Sequence, residues 1–180
     1  QQLQEVNQQL EHQALHDALT HLPNRILFQE HLRSTLLAAR RGNEPFALLG
    51  LDLDLFKEIN DTLGHHAGDL ALQHVAAACT EALRDSDTVA RMGGDEFAIL
   101  LPKVGNVESA LKVAQRVLDM IKAPLTIGDS TIEMGASLGV AMFPAHGDAE
   151  DDLLNRADAA MYEAKRNKLG IVLYRTELGE

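Results

Sequence analysis

TVARMGGDEFAILL, residues Thr88 to Leu101, carries the decisive local signal in this chain. Two apolar runs, TVARM and FAILL, flank Gly93-Gly94, and paired glycines between such runs mark a strand, a tight turn and a returning strand. The acidic pair Asp95-Glu96 follows the turn directly. Glycines there let a backbone come close to a bulky ligand and adopt positive φ. Upstream, PFALLGLDLDLF (Pro45 to Phe56) reads as a buried strand ending in the acids Asp52 and Asp54. We assign Asp52 and Asp54 to opposite faces of that strand, so that only one of them serves a given site. With the two strands as neighbours, Asp52 and one of Asp95 or Glu96 converge beside an open turn. Convergent hard carboxylates with room for phosphate oxygens suit Mg²⁺, which keeps waters and takes one or two carboxylates plus substrate. The competing reading is a plain hairpin with solvated acids at its tip.

Around this core the periodicity sets out the remaining elements. In HLPNR, Pro23 and Asn24 fit a turn with Asn24 near a helix start, and Ile26, Leu27, His31 and Leu32 continue at helical spacing. A second long helix runs from about Asp69, with Leu72, Val75, Ala76 and Leu83 on its apolar side. VESALKVAQRVLDMIK and EDDLLNRADAAMYEAKRN are helical by period, TIEMGASLGVAMF reads as one strand, and IVLY closes as an edge strand. The alternation lacks the glycine fingerprint of a βαβ nucleotide fold. It predicts an α/β domain with a mixed sheet and helices packed on its faces. Residues 1–16 differ in composition: Leu3, Val6 and Leu10 form a narrow apolar stripe on an otherwise polar, Gln-rich helix. Such a helix buries little by itself and reads as the end of a coiled-coil linker.

Composition excludes several classes. Among 180 residues, 16 Lys+Arg against 27 Asp+Glu give a formal net charge of −11, opposite to what holding a nucleic-acid polymer by its phosphates requires. Trp is absent and aromatics make up 4%, so platforms for stacking bases are not expected. No stretch approaches the roughly 20 apolar residues of a membrane helix, and no signal peptide is visible. The lone Cys79 lies in an alanine-rich stretch, reads as a small buried hydrophobe and suits a reducing compartment. Met92 and Met161 read as core fillers. His65-His66 near Asp69 superficially suggests a transition-metal site, but adjacent histidines on a turn diverge, and we do not assign zinc.

The segment DLDLFKEINDTLGHHAGD, residues 52–69, adds chemistry to the acids. Lys57 lies five residues after Asp52, within reach of phosphates held by the same metal. Asn60 offers a donor and an acceptor on one amide, and Asp69 offers acceptors; together they can read a guanine edge. Gly64 and Gly68 bracket His65-His66 and are expected to break the helical run into a short turn. With Gly94 they keep side chains out of a nucleotide's way.

At this point the chain resembles a known family. RMGGDEF matches the signature of the GGDEF domain, the diguanylate cyclase module of bacterial cyclic di-GMP signalling. DALTHLPNR resembles that family's opening motif, with His21 where Gly is usual, residues 52–69 its second block, and ADAAMYEAK its last. The blocks stand in family order from about residue 17 to residue 170. The resemblance implies a palm-like sheet flanked by helices, as in nucleotidyl cyclases. It implies that Asp52 and the carbonyl of Leu53 bind Mg²⁺ (Mn²⁺ as a substitute), with Asp95 as second carboxylate. Glu96 completes the metal set or takes the proton of the ribose 3′-hydroxyl, and which of the two acids does so stays open. Lys57 and nearby amides stabilise phosphate charge, Asn60 and Asp69 recognise guanine with His65 close by, Gly93 and Gly94 flank the nucleotide, and Lys165 reaches the terminal phosphates.

The implied reaction condenses two GTP into cyclic di-GMP and two pyrophosphates across a homodimer, each domain bringing one GTP. An inhibitory product site of the RxxD type maps onto Arg84 and Asp87, with Arg91 as a further contact. Leu169 departs from the pattern, standing where a second basic phosphate contact is usual. Residues 17–175 form the implied domain and 176–180 a C-terminal linker. The helix 1–16 resembles a passage from an upstream sensory domain, and YRTELGE a passage into an EAL phosphodiesterase domain. We expect a cytoplasmic domain, whatever membrane anchor the full-length protein carries. Two other classes remain: a GTP- or cyclic di-GMP-binding regulatory module without turnover, and a dimerisation scaffold that binds no nucleotide.

Overall fold

A computed structural model describes residues 1–176 of the chain. Six helices and seven strands follow one another as α1 (Gln2–Leu15), α2 (Arg25–Gly42), β1 (Phe46–Leu53), α3 (Phe56–Leu63), α4 (His65–Ala82), β2 (Thr88–Gly93), β3 (Glu96–Leu101), α5 (Val107–Ile121), β4 (Leu125–Ile127), β5 (Ser130–Ile132), β6 (Ala136–Phe143), α6 (Glu150–Asn167) and β7 (Ile171–Leu173). Five strands form one sheet in the order β2-β3-β1-β6-β7. Among the described residues only the β6–β7 pair of this sheet is parallel, so the sheet is mixed, as the alternation of elements predicts.

The central strand β1 is buried on both faces, which is why its sequence runs nearly unbroken in apolar residues. Phe46 and Leu48 face a core shared with Phe28, Leu32 and Leu36 of α2 and Leu153, Ala157 and Ala160 of α6. Ala47, Leu49 and Leu51 face the opposite core, against Leu72, Val75 and Cys79 of α4 and Ala114 and Val117 of α5. Burial pushes the Cys79 thiol up to about 12, so it behaves as a packed hydrophobe. Alpha6 crosses the sheet very closely. A Cβ on Gly139 of β6 would collide with both the Ala157 carbonyl oxygen and the Met161 amide nitrogen.

Local signals explain the helix starts. The Asn24 side chain caps α2 by accepting from the Ile26 and Leu27 amides. On that helix Phe28, Leu32, Leu36 and Ala39 turn inward, whereas Ile26 is exposed. Asn106 caps α5 in the same way through Ser109. Alpha6 begins with Glu150, Asp151 and Asp152 and ends with Lys165 and Arg166, the charge order its dipole favours.

Three expectations need correction. TIEMGASLGVAMF is two strands, because residues 130–132 pair with β4 in a separate hairpin and the main-sheet strand begins only at Ala136. The second long helix begins at His65 rather than near Asp69, so Gly64 alone breaks the run and Gly68 lies inside α4. Leu83 falls just past the end of that helix, as its C-cap. Alpha1 buries none of its residues, leaving Leu3, Val6 and Leu10 exposed along one stripe. Most of the segment expected to lead into an EAL domain lies outside the described residues.

Candidate active site

Antiparallel pairing of β1 with β3 sets Asp52 directly opposite Glu96 at the end of the ladder. The turn residue Asp95 accepts the Leu53 amide through its carbonyl at 3.3 Å. Its carboxyl group lies beside that of Asp52, close enough to oppose Asp52 ionisation. The sheet therefore does bring Asp52 together with the acids after the glycine turn. Gly93 and Gly94 both have positive φ and open space where a Cβ would stand.

The assignment of Asp52 and Asp54 to opposite faces is wrong. Residues two apart along a strand share a face, because the pleat repeats every two residues. Asp54 accepts the hydroxyl of buried Ser137 at 2.8 Å, and it adds to the negative field on Lys165 that Asp52 and Asp95 produce. Asp54 thus belongs to the acidic end of β1, and its part is to satisfy Ser137.

One cation sits over these groups. Lys165, reaching from the last turn of α6, donates to Asp52 Oδ2 at 2.9 Å and to the Leu53 carbonyl at 3.3 Å. Asp52 is nevertheless held above the ordinary carboxylate range. Burial disfavours its charge and the neighbouring Asp95 opposes it further, and together these outweigh Lys165. Lys165 itself is raised: burial disfavours its charge, but the bond to Asp52 and the field of Asp52, Asp95 and Asp54 more than compensate.

Among the described residues no group of three or more His, Cys, Asp or Glu side chains has metal-holding geometry. The donors present still fit Mg²⁺, whose usual set is one or two carboxylates with waters and phosphate oxygens completing it. Asp52 Oδ2 and the Leu53 carbonyl already accept from a single cationic centre. Among the described residues Asp52 Oδ1 is buried with no hydrogen-bond partner, which suits a cation ligand.

Beyond Asp54 the chain swings sharply: Leu55, with φ 62 and ψ 22, turns it from strand into α3. Among the described residues no side chain caps that helix, which leaves its first amides free for an anion. Lys57 lies exposed on its first turn, and Asn60 lies half-buried one turn later. His65 and Asp69 are exposed on the first turns of α4. The space at Gly68 is filled, not open: a Cβ there would overlap Asn60 Oδ1.

Two clefts are lined by other residues. A cavity of about 440 Å³ opens between α2, α6 and the sheet, with Arg25, Met92, Glu96 and Asp158 among its lining. A smaller one of about 220 Å³ is lined by Arg84, Ser86, Asp87, Lys103, Lys112 and Arg116. Lys103, Lys112 and Arg116 escaped the sequence reading. The spacing of Lys112 and Arg116, one helical turn apart, was the signal that they share a face. Asp87 Oδ2 also accepts the Arg84 amide at 3.0 Å, closing a tight turn.

Arg91 lies elsewhere. Its guanidinium donates to Asp17 at 3.1 and 3.3 Å and to the Gly94 carbonyl at 3.0 Å. Burial alone would raise Asp17, but hydrogen bonds from Thr20, and then Arg91, hold it below its ordinary value. The turn that follows α1 is thereby tied to the glycine hairpin.

A mixed sheet carrying a carboxylate pair, an uncapped helix start and a lysine at one end defines a palm-like α/β domain. The chain belongs to the GGDEF family: residues 14–170 match the family described as diguanylate cyclase, GGDEF domain. Diguanylate cyclase TpbB of Pseudomonas aeruginosa is 46% identical over 169 residues, which cover 93% of this chain and 39% of that protein. The bifunctional diguanylate cyclase/cyclic di-GMP phosphodiesterase MucR of the same species is 41% identical over 163 residues, 91% of this chain and 24% of MucR. This chain thus spans well under half of either relative. The solved GGDEF domain of TpbB matches with a TM-score of 0.88 at 43% identity, covering 91% of this chain and 96% of that one. The coiled coil and GGDEF domain of DgcB from Caulobacter crescentus, in complex with c-di-GMP, matches with a TM-score of 0.85 at 28% identity, covering 96% and 92%. No helix among the described residues is long and apolar enough to cross a membrane.

Proposed function

We propose that this chain is the catalytic domain of a diguanylate cyclase, joining two GTP into cyclic di-GMP with release of two pyrophosphates. The observation that carries this reading is the meeting of Asp52, the Leu53 carbonyl and Asp95 around one cation position, with a buried Asp52 oxygen left unpartnered. Asp52, Leu53 and Asp95 would hold Mg²⁺ or Mn²⁺, which when bound neutralises phosphate charge and acidifies a hydroxyl. Asn60 and Asp69 hydrogen-bond the guanine edge, and His65 lies against the nucleotide. Lys57 and the free amides at the start of α3 hold phosphate oxygens, and Lys165 leaves Asp52 for the terminal phosphates. Gly93 and Gly94 leave the ribose room at the hairpin.

Two copies must face each other. In each half of the reaction a ribose 3′-oxygen bonds to the α-phosphorus of the GTP on the facing domain. The bond from that phosphorus to pyrophosphate breaks, and the hydroxyl proton passes to Asp95 or Glu96. The domain contributes positioning and charge neutralisation, which phosphoryl-type transfers chiefly need. We place product inhibition in the cleft of Arg84 and Asp87, where a guanidinium can grip phosphate or guanine and the carboxylate can accept from guanine. The cations Lys103, Lys112 and Arg116 on its walls support that reading, and Arg91 serves the hairpin instead. An upstream sensory domain acting on α1 and a downstream EAL domain complete the proposal, in the cytoplasm where GTP is found.

One observation favours a second reading, a module that binds GTP with little turnover. Leu169 is 56% exposed where a basic phosphate contact is usual, and nearby Arg166 is engaged with Glu163. The test joins the chain to a strong parallel coiled coil, supplies GTP and Mg²⁺, and follows products by chromatography and mass. Cyclic di-GMP that disappears in Asp95→Ala and Glu96→Ala, and is less self-limiting in Arg84→Ala, supports the cyclase with its inhibitory site. GTP bound without product supports the regulatory module.

A further inference from the structure

Gly68 has ordinary helical backbone geometry, and it is buried in the first turns of α4. Nothing in the backbone calls for glycine at such a place, where it costs a helix stability relative to alanine. What calls for it is space. A Cβ at residue 68 would overlap Asn60 Oδ1 and lie 2.9 Å from Asn60 Cγ and 3.4 Å from Asn60 Nδ2, and these are its three nearest neighbours. The amide of Asn60 therefore rests in the volume that any other residue at 68 would fill.

The backbone around that amide is held at both ends. The Asn60 carbonyl accepts the Gly64 amide at 2.9 Å, and the Gly64 carbonyl accepts the Gly68 amide at 3.2 Å. With the main chain tied at these points, a methyl group at 68 is accommodated most cheaply by rotating the short Asn60 side chain out of its seat. Asp69, the next residue along α4, is the other proposed reader of the base. One turn of α4 thus seats the first reader and carries the second.

We propose that Gly68 is a positioning residue for base recognition, its missing side chain giving the Asn60 amide room for the orientation that reads guanine. The proposal rests on the reading of Asn60 and Asp69 as guanine contacts. It predicts an unusual variant, one that harms selectivity while leaving the fold as stable or more so.

The experiment measures dissociation constants for GTP and ATP by calorimetry, and thermal midpoints, for the 180-residue chain and for Gly68→Ala, Asn60→Ala and the double variant. Gly68→Ala is expected to keep or raise the midpoint, to weaken GTP about tenfold, the scale of one misplaced hydrogen-bonding group, and to leave ATP unchanged. Asn60→Ala is expected to do the same, and the double variant to be no worse than Asn60→Ala alone, because alanine at 60 vacates the seat. Should Gly68→Ala fail to fold, recovery of folding in the double variant supports the contact with Asn60, and failure of both overturns it. Wild-type GTP affinity in Gly68→Ala beside a weakened Asn60→Ala overturns the positioning role while sparing the guanine reading. Additive losses in the double variant overturn it as well. Wild-type selectivity in Asn60→Ala overturns the guanine reading itself, and the role of Gly68 falls with it.

Discussion

The Lys165 ammonium stands 2.9 Å from Asp52 Oδ2 and 3.3 Å from the Leu53 carbonyl, a contact between residues separated by most of the domain. It covers two of the groups proposed as metal ligands with an internal cation. A divalent ion and the lysine cannot both sit there, so metal binding and release of Lys165 toward the phosphates should be one event. Replacing Lys165 by Met leaves Asp52, Asp95 and Asp54 facing one another without a counter-charge, and the metal-free protein should melt lower than wild type. Added Mn²⁺ should raise the midpoint of Lys165→Met more than that of wild type, because no ammonium competes. Cyclic di-GMP synthesis should fall by about 10²–10³-fold, the scale of losing one cation from a phosphoryl-transfer site. Equal Mn²⁺ shifts in the two proteins would count against the exchange.

Asp52 supplies a pH test with a defined sign. Its carboxyl is raised in the folded chain, so the folded state takes up a proton at higher pH than the unfolded chain. Ionised Asp52 thus costs stability at neutral pH, and the cost disappears as pH falls through the folded value to the ordinary carboxylate range. Asp52→Asn should be more stable than wild type near pH 7, and that advantage should shrink toward zero by about pH 4. Urea melts of the two proteins across this range measure the difference, which cancels contributions from other carboxylates. The same substitution should abolish synthesis, since it removes a proposed ligand.

How far the sequence led is clearest at this site. Asp52 and one of Asp95 or Glu96 could be brought together from sequence because a glycine turn fixes one hairpin and an apolar run marks its neighbour, both local signals. The shared face of Asp52 and Asp54 was equally legible from the two-residue pleat and was mis-assigned. The break in TIEMGASLGVAMF was not legible. It falls where the Gly135 carbonyl accepts the Asp54 amide and a Cβ on Gly135 would lie 3.0 Å from Asp54 Oδ2, a contact made only after β1 and β6 pair. Lys165 was recognisable through its motif, but its seat on Asp52 depends on how α6 crosses the sheet.

His21 shows what the departure from glycine in the opening motif costs. It adopts φ 63, a left-handed conformation that burdens residues with a Cβ, and it is exposed in a turn. The neighbouring geometry does not need its side chain: Asp17 organises the turn by accepting from the Thr20 amide and hydroxyl at 2.9 and 2.8 Å. His21→Gly should therefore stabilise the domain by about 1 kcal/mol, the gain from relieved strain less the entropy glycine adds to the unfolded chain. Chemical denaturation reads this directly, and a destabilised variant would show that the imidazole carries a contact worth more than the strain.

Gly139 should behave in the opposite manner to Gly68, and the contrast follows from what each would touch. At residue 68 a methyl group meets the end of a short side chain that can rotate away. At residue 139 it meets backbone, the Ala157 carbonyl and the Met161 amide. Neither atom can move without shifting α6 as a body away from β6. Gly139→Ala should therefore cost about 3 kcal/mol or more, at the upper end of overpacking. Because Lys165 lies one turn beyond Met161 on the same helix, the displacement should also draw the ammonium from Asp52. Ionised Asp52 then loses its counter-charge while keeping its burial and its Asp95 neighbour, so its cost at neutral pH grows. The predicted signature is a lowered midpoint together with a larger stability gain from Asp52→Asn at pH 7 in the Gly139→Ala background than in wild type. A variant that melts lower with that gain unchanged would mean that α6 yields locally and the close crossing does not set the position of Lys165.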